Sequence, residues 1–142
     1  MIAVEKPPLA FKVADTGFAL AKALNAQVLL MHINPPALLY SPDSGTSPDQ
    51  IKYQMNREAE NFLQKLVKLY GDNLEVSSFI LEGNTEHEII KAINDIKPDI
   101  LILGTHGKKA WQELLLGSVS EDIIRHSTCP VMLIRESPTD PI

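Results

Sequence analysis

Between Ile2 and Arg135 two kinds of segment take turns, and this alternation restricts the fold more than any other feature. One kind is short and mostly unbroken in its apolar character: "IAVE" (2–5), "QVLLMHI" (27–33), "LEVSSFIL" (74–81), "DILIL" (99–103) and "PVMLIR" (130–135). The other kind repeats its apolar residues at helical spacing. A strand with one wet face alternates apolar with polar residues, whereas a strand covered on both faces need not. Buried strands separated by helices predict a parallel α/β sheet, five strands wide, with helices on both faces.

The helical segments have readable ends. Pro7 and Pro8 can open a helix but not continue a central strand, and from Ala10 the apolar or small positions are Val13, Ala14, Gly17, Phe18, Ala21 and Leu24. Residues 34–50 carry four prolines with Ser, Gly and Asp, and read as a long surface loop. Ile51, Met55, Ala59, Phe62, Leu63, Leu66 and Tyr70 then form one face of a long helix, with Gly71 as its stop. Thr85 with Glu88 reads as a capping box for a helix that ends before Pro98, and Ser118 with Glu121 as a second one for a helix over about residues 119–126. The tail 136–142 is expected to fray. With 142 residues, 44% of them hydrophobic, and no internal repeat, one domain over 1–142 is expected.

The formal net charge of −5 argues against a grip on nucleic acid or an anionic membrane. It does not exclude a small anionic ligand held by local donors, because exposed charges are screened beyond about 8 Å at physiological salt. Cys129 is the single cysteine, so no disulfide can form within the chain, and it reads as a packing residue. No apolar run approaches the roughly 18 residues of a membrane span, and no leader pattern opens the chain, so the cytoplasm is the expected compartment.

The stretch "GTHGKKAWQELLLGS" (104–118) follows the fourth apolar run and precedes the last helix. In an open α/β sheet, ligands sit at the carboxyl ends of strands where the strand order reverses. If the first strand is central, that crevice runs from Glu5–Pro7 to Gly104–Ser118. Glycines at 104, 107 and 117 allow positive φ and close approach of the backbone, and Ser118, Val119 and Ser120 supply unpaired helix-start amides. Hydroxyls and the helix dipole add to these donors, which together suit phosphate. His106, between two of the glycines, can either meet a phosphate or sit exposed, Lys108 and Lys109 are open to the same two readings, and Trp111 reads either as a lid over the ligand or as an anchor that holds "AWQELLL" to the body. His32, on a buried strand, reads as a core residue with its hydrogen bond satisfied.

Read as G-x2-G-x9-G-[ST], the residues Gly104, Gly107, Gly117 and Ser118 resemble the motif of the universal stress protein family, in the branch that binds ATP. "QVLLMHINP" is similar to the family's second strand, and residues 82–135 resemble its C-terminal half nearly throughout. The resemblance implies a five-stranded parallel sheet in order 3-2-1-4-5. It also implies ATP, with Mg²⁺ accompanying it, held by Gly104, Gly107, Gly117, Ser118, Val119 and Ser120. An adenine contact would fall on Ile33 through its backbone, and a stress-related dimer would form through the last strand, Pro130–Arg135. An apolar edge of that kind invites pairing with a second copy in any case. The chain departs from the family at "EKP": Glu5 stands for the usual Asp, and Pro7 for a Ser, removing a hydroxyl and an amide donor. Three functions stay open on these residues. One is an adenine-nucleotide-binding module with slow hydrolysis at most; another is an ATPase or nucleotidyl-transfer enzyme using Glu5 or His106. The third is an interaction protein of the same fold with a decayed site.

Overall fold

The computed structural model describes residues 1–37, 45–105 and 118–135, of which 118–120 are described through their backbone alone. Five strands, β1 (Ile2–Ala3), β2 (Val28–Asn34), β3 (Val76–Glu82), β4 (Leu101–Gly104) and β5 (Val131–Ile134), form one parallel sheet. Its order is β3-β2-β1-β4-β5, as expected, so the shortest strand is the central one. The helices between them are α1 (Leu9–Leu24), α2 (Pro48–Tyr70), α3 (Thr85–Ile96) and α4 (Ser118–His126).

Alternate residues of a strand face opposite sides, and the core divides accordingly. Val28 and Leu30 of β2 join Val13, Phe18, Leu63 and Leu66 beneath α1 and α2. Met31 and Ile33 join Ile89, Ile93 and Ile123 beneath α3 and α4. Phe18 is 1% exposed, and burying a side chain of that size contributes about 1.5–3 kcal/mol. Cys129 is half-buried against the second of these clusters, which agrees with a packing role.

Three element boundaries differ from the sequence reading. The loop expected over 34–50 is cut short at both ends. β2 runs through Asn34, and α2 opens at Pro48, because Ser47 Oγ accepts from the Gln50 amide while Gln50 Oε1 accepts from the Ser47 amide. Proline at the first helical position lacks only an amide that would have no helical partner there. In α3 the cap is Asn84, whose Oδ1 accepts from the His87 amide at 3.0 Å, so Thr85 is already inside the helix. α4 begins at Ser118 itself. Gly71 does end α2, but with φ −92° rather than a left-handed turn. What requires glycine there is space: a Cβ would come within 2.7 Å of the Val67 carbonyl oxygen. Residues 38–44, 106–117 and 136–142, including the expected tail, lie outside the described residues.

Candidate functional site

β1 is paired with β2 on one side and β4 on the other, so the connections that leave the carboxyl ends of β1 and β4 run in opposite directions. That topology opens a crevice, and an open cleft of about 890 Å³ lies there. The turn from Glu5 to Pro8 lines it after β1, Ile33 and Asn34 after β2, and Gly104 and Thr105 after β4. About the first four turns of α2 close the side, with Ile51, Met55 and Phe62 as an apolar wall.

The end of β2 is held tightly. The Val4 amide donates to the Met31 carbonyl at 2.9 Å, the last bond between the first two strands. Alternate residues of a strand bond to the same neighbour, so Ile33 turns its N–H and C=O to that side too. There β1 has already turned away toward α1, and no described residue bonds the Ile33 pair. One donor and one acceptor therefore stand side by side at the cleft. The next residue, Asn34, is 6% exposed. Its carbonyl accepts from the Gly83 amide at 2.9 Å, and its Nδ2 donates to Asn56 Oδ1 at 3.1 Å, tying β2 to α2. A second tie, Lys52 to Glu82 at 3.5 Å, is solvent-exposed and worth less than about 1 kcal/mol.

Of the residues expected at the site, Glu5, Ile33 and Gly104 do line one cleft. Glu5 is exposed, and Ile33 buries its side chain in the opposite core, leaving its backbone to the cleft. Gly104 corrects an expectation. It lies within β4 and not at a positive φ. A Cβ there would meet Leu9 Cδ2 at 2.8 Å and Val13 Cγ2 at 3.0 Å, so α1 packs closely on the glycine and these side chains would have to shift to admit a larger residue. His106, Gly107 and Gly117, with Lys108, Lys109 and Trp111, lie outside the described residues. Ser118, Val119 and Ser120 form the first turn of α4. Because α4 connects two parallel strands, its N-terminus lies at their carboxyl ends, the same end as the cleft.

The sequence reading missed the α2 wall and His32. Ile51, Met55 and Phe62 fit the stripe of a core helix, and half of that stripe is core. The signal was length: 23 helical residues span about 34 Å, against about 23 Å for a seven-residue strand. The first turns of α2 must overhang the sheet. His32 shares the α1/α2 face with Leu30 and lines the cleft, half-buried, its Nδ1 2.8 Å from the Val4 carbonyl oxygen. The expected core hydrogen bond exists, but the ring also borders the site.

A parallel sheet of this order, with its cleft at the carboxyl ends beside a helix start, defines an open doubly wound α/β protein of the kind that seats ligands at the strand-order switch. Within that class, residues 1–135 match the model of the universal stress protein family, and the chain belongs to it. Universal stress protein MJ0577 of Methanocaldococcus jannaschii is 35% identical over 88 residues, which take in 61% of this chain and 54% of that protein. A universal stress protein of Thermus aquaticus is 29% identical over 138 residues, covering 95% of this chain and 96% of that one. The solved structure of MJ0577 aligns with a TM-score of 0.78 at 27% identity, over 97% of this chain and 96% of that one. A universal stress protein solved in complex with cAMP shares the fold with a TM-score of 0.65 at 21% identity, over 96% of each chain. An Arabidopsis thaliana family member solved with AMP bound does so with a TM-score of 0.60 at 20% identity, over 98% of this chain and 93% of that one.

Proposed function

We propose that this chain binds an adenine nucleotide, ATP with its Mg²⁺, in the cleft, and serves stress signalling as a homodimer with slow hydrolysis at most. The observation that carries the reading is the N–H and C=O of Ile33 at the end of β2, which no described residue bonds. Adenine offers the complementary pair on one edge, a ring-nitrogen acceptor beside an amino donor. The wall of Ile51, Met55 and Phe62 suits a flat apolar ring, and the N-terminal turn of α4 suits phosphates. Relatives that carry cAMP and AMP support the same ligand class. Mg²⁺ would enter on the triphosphate, since it is held mainly by phosphate oxygens and water.

Release of bound material on denaturation, followed by chromatography, and titration of the stripped protein with Mg-ATP test the reading. Binding without steady phosphate release is expected. Phosphate release abolished by Glu5→Gln would make the chain an ATPase instead. An absence of both bound nucleotide and binding heat would favour the interaction-protein reading, which Pro7 supports by lacking an amide donor at the cleft.

A further inference from the structure

His32 carries the most restricted chemistry in the cleft. Its Nδ1 lies 2.8 Å from the Val4 carbonyl oxygen. A carbonyl oxygen only accepts, so Nδ1 holds the ring proton and donates. In a neutral imidazole the other nitrogen, Nε2, is then an acceptor with a free lone pair. No described residue bonds Nε2, and no side-chain nitrogen or oxygen among the described residues is both buried and without a partner. Nε2 is therefore open to the cleft that the ring lines. The lock is rigid, because Val4 is 2% exposed and its amide is pinned to Met31 at 2.9 Å.

An acceptor held in this way repels other acceptors. Phosphate oxygens are turned away from it, whereas a nucleoside can offer it a donor. The ring stands one residue from Ile33 and shares the cleft with Met55 and Phe62, at the end opposite β4.

We infer that His32 Nε2 accepts a hydrogen bond from the nucleoside half of the ligand, an amino group of the base or a ribose hydroxyl, and so decides which end of the nucleotide enters beside β2. The inference rests on the nucleotide reading above. It makes His32 a specificity residue in addition to the backbone of Ile33.

The test compares the wild-type chain with His32→Asn, which keeps an N–H donor toward Val4 and loses the second ring nitrogen. Calorimetric titration at about pH 8 uses four probes. These are ATP, purine riboside 5′-triphosphate without the amino group, 2′-deoxy-ATP and 3′-deoxy-ATP. One analogue is expected to bind the wild type more weakly than ATP, and the variant to narrow that gap by about five- to tenfold, the size of one net hydrogen bond. The analogue affected identifies the donor. Gaps of equal size in both proteins overturn the inference while leaving the nucleotide reading intact. A wild-type chain that binds no adenine nucleotide overturns both. Should His32→Asn not fold, ¹⁵N spectra of the wild-type imidazole replace it. A bare Nε2 whose resonance moves when ATP is added is expected, and a protonated or unmoved Nε2 refutes the proposal.

Discussion

Gly104 meets two requirements with one missing side chain. It lines the cleft, and it allows α1 to approach β4 so closely that Leu9 and Val13 occupy the space a Cβ would need. Gly104→Val should therefore destabilise the protein by about 1–3 kcal/mol through overpacking. Leu9→Ala in the same chain should return part of that loss, since it frees the volume the valine needs. Urea unfolding of the two single variants and the double variant checks this. Costs that simply add would mean the Leu9 contact is not the reason for glycine here. At this scale a motif glycine was visible in the sequence, but the neighbour that requires it lies 95 positions away (104 − 9). No local pattern reports a partner at that distance.

The elements place the site through their ends, and the ends are set by small polar contacts. Ser47→Ala removes the Oγ that accepts from the Gln50 amide, one half of the reciprocal capping box of α2, and should cost about 1 kcal/mol. Because the first turns of α2 form the cleft wall, ligand affinity should fall with it. Asn84→Ala should cost a similar amount in α3, whereas Thr85→Ala should leave stability nearly unchanged. Equal losses at positions 84 and 85 in thermal unfolding would mean the cap is misassigned. Asn84 and Thr85 are both good capping residues. Their neighbours did not distinguish them, because Thr85–Glu88 fits the capping-box spacing while Asn84 needs only its own Oδ1. The long apolar stripe of α2 was legible. That its first turns overhang the sheet follows only from comparing helix and strand lengths.

For the whole molecule the open question is what covers the last strand. β5 lies at one edge of the sheet, and the Leu101 and Thr105 amides donate to the Pro130 and Ile134 carbonyls. By alternation Val131 and Leu133 turn their amides outward, as a template for a second copy. Light scattering should therefore return about twice the 15.7 kDa of one chain. Val131→Pro, at the first residue of the strand, removes an outward donor without touching the ladder to β4. It should shift the population toward monomer with the fold retained. A wild-type chain that runs as a monomer at high concentration would exclude this interface.

The alternation of buried strands with amphipathic helices was enough to establish the parallel sheet, because periodicity is carried by each segment within itself. The strand order came from the family resemblance, and with that order the general rule for open α/β sheets pointed to the end of the sheet where the cleft lies. The pairing of His32 with Val4, the Ile33 backbone that no described residue bonds, and the close packing at Gly104 were decided by tertiary structure alone. Each depends on where one strand stops relative to its neighbour, and that registry is set by packing between segments far apart in the chain.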